Sequence, residues 1–128
     1  HLYEEREGLT TMQQNNFVHE KTIVPSYSSL DTIISAGENV YVVIMTFGYR
    51  SDDEAFRALI GKKFKYIGML GSKKKIQRLF NEYCSENIDE VELKDVHSPI
   101  GIQIKSQSPE EIAISIAAEI IAVKNKDQ

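Results

Sequence analysis

Hydrophobic positions along the chain follow two alternating periods. Val40 to Thr46 (VYVVIMT) is a near-continuous apolar, β-branched run, the pattern of a strand buried on both faces of a parallel sheet. Phe64 to Gly68 reads as a second strand. From Ser72 to about Glu86 the period changes: Ile76, Leu79, Phe80 and Tyr83 fall at i, i+3, i+4 and i+7, predicting an amphipathic helix. Ser51 to Ile60 is predicted helical from a capping box, with Ser51 as N-cap, Asp52 and Asp53 in the first turn, Glu54 at the third position and Gly61 beyond the end. Ser108-Pro109-Glu110-Glu111 opens the last helix, with an N-cap, a proline at the first position and an acid completing the box. That helix is apolar nearly all round, from Ile112 to Val123, which predicts burial on most sides against the sheet plus a neighbouring helix or subunit. Glu111, Ser115 and Glu119 break it at i, i+4 and i+8, on one narrow stripe. The stripe reads as the solvent edge, with a ligand cleft or a partner chain as the alternative.

Weaker patterns fill the gaps. Residues 1–7 (HLYEERE) read as the tail of a strand running into an acidic turn. Residues 8–18, with Gln13, Gln14, Asn15 and Asn16, read as a polar loop with a helical turn. Lys21 to Val24 is a short strand closed by Pro25, Ser28 to Ala36 a short helix ended by Gly37, and residues 102–105 (IQIK) an alternating strand. Strands alternating with helices predict an α/β domain with a mostly parallel sheet and helices on both faces. Ligands in such folds sit at the carboxyl ends of strands, where strand order reverses. Two loops hold that kind of position: Thr46 to Arg50, and Gly68 to Ser72.

At 128 residues the chain is long enough for one domain with one core. No apolar run reaches the ~18–20 residues of a membrane helix, so no membrane partner is expected. The single cysteine, Cys84, excludes an internal disulfide and fits a cytoplasmic location. Cys84 and the three histidines show no metal-ligand spacing, so no metal site is expected. The net charge of −4 conceals an asymmetry. Arg57, Lys62, Lys63, Lys65, Lys73, Lys74, Lys75 and Arg78 form a block without a single acid, while the other seven bases face nineteen acids. One basic block on an acidic domain points to a local anionic partner rather than to nucleic acid.

The block contains the chain's most informative turn, GMLGSKKK from Gly68 to Lys75. The other two well-marked helix starts place acids at the positive end of the helix dipole; this one places three lysines there, against a penalty of roughly 0.3 kcal/mol or more per exposed charge. An anion bound at the turn would offset that penalty, with Gly68 and Gly71 letting backbone come close to it. A tight turn with a solvated basic edge is the alternative. The spacing is not that of a P-loop, and no G-x-G-x-x-G dinucleotide fingerprint occurs. In the other loop Thr46, Tyr49 and Arg50 offer a hydroxyl, a phenol and a guanidinium, unless Tyr49 packs and Arg50 pairs with Asp52 or Asp53. No nucleophile–base arrangement has an anchor, so no catalytic residue is assigned and the residues describe a binding domain more than an enzyme.

Taken in order, VVIMTFGYRSDDEAFRALI, KYIGMLGSKKKIQRLF, HSPIG and SPEEIAISIAAEIIAV resemble the C-terminal Rossmann-like domain of the XdhC/CoxI family, accessory factors of xanthine dehydrogenase and related molybdenum hydroxylases. The resemblance covers roughly residues 40–124, with YEERE as a weaker match to the acidic turn ending the family's second strand. It implies a Rossmann-like, three-layer domain and a chaperone role in maturation: binding the molybdenum cofactor (molybdopterin) and passing it to the apo-enzyme. It also implies that Thr46 and Gly48 lie on a threonine-glycine loop, Gly68, Gly71, Ser72 and Lys73 on a glycine turn, and Pro99, Ile100 and Gly101 on a Pro-Ile-Gly motif. Phe47 and Tyr49 stand where the family loop commonly carries histidines, and Gln103 and Lys105 stand where an acid and a glycine usually follow Pro-Ile-Gly.

The family's first strand and its glycine turn have no counterpart here, so residues 1–128 are expected to form a single domain truncated at its amino terminus. The first strand is central in a doubly wound sheet, so the Val40–Thr46 strand should expose an edge unless an upstream segment or a second copy fills the gap. A homo-oligomer is expected on this account. Two other readings stand beside the accessory one: an NAD(P)-binding oxidoreductase domain, and a scaffold whose isoleucine-rich last helix serves dimerisation or docking.

Overall fold

The computed structural model describes residues 1–14 and 17–127; Asn15 and Asn16 of the predicted polar loop lie outside them. The chain divides into two compact units. The first comprises residues 1–35 and 46–59, the second residues 36–45 and 60–128.

In the first unit, β1 (Leu2–Glu4) and β2 (Lys21–Ile23) pair in parallel, in the register Leu2 to Lys21 and Glu4 to Ile23. The short helix α1 (Thr10–Gln13) lies between them in sequence. A 3-10 turn over Tyr27–Ser29 runs directly into α2 (Leu30–Ile33), and both pack against α3 (Tyr49–Leu59). Val24, Tyr27, Leu30, Ala55, Phe56 and Leu59 are buried there. Two boundaries differ from the sequence reading. Gly37 does not cap the short helix but opens the next strand, because its N–H pairs with the Lys63 carbonyl at 2.9 Å. Helix α3 starts two residues before Ser51, which is therefore an interior, buried residue and not the N-cap. The first helical bond runs from Asp52 N–H to the Gly48 carbonyl at 3.0 Å.

The second unit holds a three-stranded parallel sheet in the order β3 (Gly37–Ile44), β4 (Phe64–Met69), β5 (Val96–His97). Helix α4 (Lys73–Ser85) follows β4, and its predicted apolar face is borne out by buried Ile76, Leu79 and Tyr83. The predicted irregular segment after it contains α5 (Glu90–Lys94), capped by Asp89, whose carboxylate accepts from Val91 N–H at 3.0 Å. Helix α6 (Pro109–Lys124) begins as the capping box requires, with Ser108 Oγ accepting from Glu111 N–H at 3.2 Å. Residues 102–105 are not a strand. Ile102 N–H bonds to the Ser115 carbonyl on α6, Ile104 N–H bonds back to Ile102, and Lys105 takes a positive φ of 57°, so no ladder forms.

Strand β3 departs from expectation twice. Val42 and Ile44 are buried, but Val43 on the opposite face is 36% exposed, so one face is covered where two were predicted. The strand also pairs on one side only. Upstream, β1 and β2 pair with each other, so no strand among the described residues fills the place beside β3.

Candidate functional site

In the first unit the loop after β3 is held by one carboxylate. Asp52, only 2% exposed, accepts from Thr46 N–H at 2.8 Å and from Thr46 Oγ1 at 2.7 Å. The Thr46 hydroxyl is thereby committed to the protein, whereas the sequence offered it to a ligand. Arg50 is exposed and pairs with neither acid: Asp52 takes Thr46, and Asp53 pairs with Arg57 at 2.9 Å. Gly48 leaves open space around its Cα, and Tyr49 is half-buried as the first residue of α3. The N–H groups of Tyr49, Arg50 and Ser51 form the amino end of that helix. Phe47 lies under Arg6, whose guanidinium carbon is 4.3 Å from the ring centroid. It supplies a cation–π platform and no proton.

Arg6 belongs to a second carboxylate cluster, at the end of β1. Glu4 is 7% exposed and accepts from Arg6 Nε at 2.6 Å, from Glu5 N–H at 3.0 Å and from the Tyr27 hydroxyl. Burial pushes the Glu4 carboxyl up, but the hydrogen bonds from Tyr27, Arg6 and Glu5, with the Arg6 charge, outweigh it and leave it below its ordinary range. Tyr27 is pushed up to about 12 by its burial first and by the same carboxylate second.

The second unit brings the two other motifs together. Ile100 N–H bonds to the Met69 carbonyl at 3.0 Å, joining the Pro-Ile-Gly turn to the end of β4. A Cβ on Gly68 would lie 2.6 Å from the Ile100 side chain, so the missing side chain makes room for Ile100. Gly71 has a φ of +157°, which disfavours L side chains, and a Cβ there would meet Lys75 Cδ at 2.8 Å. Ser72 caps α4 by accepting from Lys75 N–H at 3.2 Å, and Lys75 Nζ folds back onto the Leu70 carbonyl at 3.2 Å. Ser72, Lys73 and Lys74 are exposed, with the first-turn N–H groups of Lys73 and Lys74 at the positive end of the helix. The rest of the basic block lies elsewhere. Lys62, Lys63 and Lys65 line a groove of about 570 Å³ at the other end of β4, where Lys65 pairs with Asp127 at 3.4 Å.

A third carboxylate organises the Pro-Ile-Gly turn. Glu119 Oε1 accepts from the Tyr66 hydroxyl at 2.7 Å and from Gly101 N–H at 3.0 Å, and His97 Nδ1 lies 3.5 Å away. His97 stacks on Tyr66 with ring centroids 4.6 Å apart. Burial, then the hydrogen bond to Glu119 and its charge, hold the Tyr66 phenol well above its usual range. Gly101 has a φ of +91°, and a Cβ there would lie 2.4 Å from Ser115 Oγ, so α6 sits directly on the turn. The Ser98–Pro99 peptide preceding it is cis, and Ser98 Oγ is buried without a hydrogen-bond partner. Of the polar stripe of α6, Glu111 is exposed as a solvent edge would be, but Ser115 is 3% exposed, the Glu119 side chain 17%, and both face the turn. Asp52, Tyr66, His97 and Glu119 were not selected as site residues from the sequence. The available signal was a pair of polar residues one turn apart on an otherwise apolar helix.

No group of three or more His, Cys, Asp or Glu residues suited to a metal ion occurs among the described residues, and no helix there is long and apolar enough to cross a membrane. Parallel sheets with a glycine turn leading from β4 into a basic helix start define a Rossmann-like α/β domain. The XdhC Rossmann domain family matches residues 1–120, and the chain belongs to that family.

Similar proteins include an uncharacterised protein, YqeB, of Escherichia coli K12, 35% identical over 85 residues that make up 66% of this chain and 15% of that protein. A probable xanthine dehydrogenase subunit of Bacillus subtilis 168 is 32% identical over 84 residues, 66% of this chain and 23% of that protein. The fold also matches a crystal structure described as a xanthine dehydrogenase from Bacillus halodurans, with a TM-score of 0.69 and 31% identity over 86% of this chain and 30% of that one. The chain spans less than a quarter of the length of the Escherichia coli and Bacillus subtilis relatives.

Proposed function

We propose that this domain belongs to a cytoplasmic, homo-oligomeric accessory factor that binds the molybdenum cofactor as cargo and delivers it to the apo-enzyme of a xanthine dehydrogenase-type hydroxylase. The observation that carries the reading is the start of α4, where Gly71, Ser72, Lys73 and Lys74 put two lysines and first-turn N–H groups at the positive end of a helix dipole. These residues fit the phosphate of the pterin, and cargo bound there would offset the cost of placing lysines at a helix start. The two relatives described as xanthine dehydrogenase proteins support the choice of target. A transport role without turnover is consistent with the inward commitment of the carboxylates of Glu4, Asp52 and Glu119.

The NAD(P) reading is less well supported. In a dinucleotide domain the acid ending the second strand holds the ribose hydroxyls, but Glu4 at the end of β1 is buried on Tyr27 and Arg6. Calorimetric titration of the full chain with molybdopterin tests the proposal. Lys73→Glu combined with Lys74→Glu is expected to weaken binding at least about tenfold, equivalent to roughly 1.4 kcal/mol. Unchanged affinity, or an equal thermal shift with NADPH in place of the pterin, would overturn it.

A further inference from the structure

Helix α6 faces the wrong way for a solvent-covered helix. Its polar residues Ser115 and Glu119 point inward to the Gly101 turn, while Ile114 and Ile121 are 64% and 55% exposed. Ala113 and Ala117 are exposed as well. Ile114, Ala117 and Ile121 recur at i, i+3 and i+7, so they form one stripe on the side opposite buried Ile116. Glu110 closes this stripe at its amino end and Lys124 at its carboxyl end, both exposed. Each stands seven residues, two turns, from Ala117.

That arrangement is complementary to itself. We infer that the outer face of α6 is a homodimer interface in which two copies of the helix pack antiparallel about a two-fold axis at Ala117. The antiparallel choice follows from the charges. It sets Glu110 of one copy against Lys124 of the other, twice, and opposes the two helix dipoles. A parallel pair would set Glu110 against Glu110. The same axis brings Ile114 of one copy beside Ile121 of the other, and the small side chain of Ala117 allows the helices to approach to about 8 Å at the crossing. An isologous contact needs a patch complementary to its own two-fold image, and this stripe satisfies that condition in both shape and charge.

The inference does not depend on which ligand the α4 start binds. It is tested by sedimentation of the full chain across a concentration series, with far-ultraviolet circular dichroism as the control for folding. The wild type is expected to dimerise reversibly, and Ile114→Glu with Ile121→Glu to weaken the dimer at least about tenfold while leaving the spectrum intact. Because those variants could perturb folding, a second measurement fixes the geometry. In a Cys84→Ser background, Ala117→Cys is expected to form an intermolecular disulfide on mild oxidation. Ala113→Cys is not, since the two copies of residue 113 would be about 12 Å apart along the helices. A wild type that stays monomeric, a dimer indifferent to the glutamates, or cross-linking as efficient at 113 as at 117 would each overturn the inference.

Discussion

Three carboxylates point inward, and each ties a loop to the element beside it. Asp52 holds Thr46, Glu4 holds Arg6 and Tyr27, and Glu119 holds Gly101 and Tyr66. Their types and positions were legible in the sequence; their direction was not, because an acid in a first turn or on a helix stripe reads equally well as solvated. Glu4 has a measurable consequence. Its carboxyl is held below the ordinary value, so the folded state gains from its ionised form above the unfolded pKa of about 4.3 and loses that gain as pH falls through the folded pKa. Glu4→Gln is expected to flatten the acid limb of the stability profile below about pH 4.3; denaturant melts at a series of pH values check this. A limb as steep in the variant would assign acid sensitivity to another group. Tyr27, pushed up to about 12, acts at the other extreme: its contribution is present below about pH 10 and lost as pH rises through 12.

Among elements, α4 and α6 were legible from caps and periodicity because Ser72 and Ser108 act on N–H groups three residues ahead. Helix α5 carried its cap signal in Asp89 and was still missed, being five residues long with little periodicity. Residues 102–105 alternate like a strand and are not one, since alternation describes a strand only when a neighbour offers a ladder. The face of α6 was misjudged for a related reason. A helix apolar on nearly every side cannot show from its own residues which side meets the turn. Gly101 decides it, by admitting Ser115 where no Cβ fits. Gly101→Ala is expected to cost roughly 2 kcal/mol or more, from a positive φ and an overpacked contact together. A midpoint shift in urea measures it, and an unchanged midpoint would mean that α6 does not rest on this turn.

For the molecule as a whole, the open side of β3 is the exposed liability. Its residues Val40 to Ile44 are β-branched or aromatic, and its outer edge has no strand partner among the described residues. Val43→Lys, at a position already 36% exposed, is expected to raise the onset temperature of light scattering on heating without lowering stability. An unchanged onset would place aggregation elsewhere. The parallel α/β class, its main strands and helices, the glycine turn and the family were determined by the sequence alone. They rest on periodicity, capping and tight turns, which act over a few residues. The tertiary structure decided what those signals could not reach. It turned Gly68 into a socket for Ile100, took the Thr46 hydroxyl for Asp52 and turned Ser115 and Glu119 of α6 inward. Gly101 and Tyr66 meet Glu119 across 18 and 53 residues of sequence, and only the folded chain brings such partners within hydrogen-bond distance.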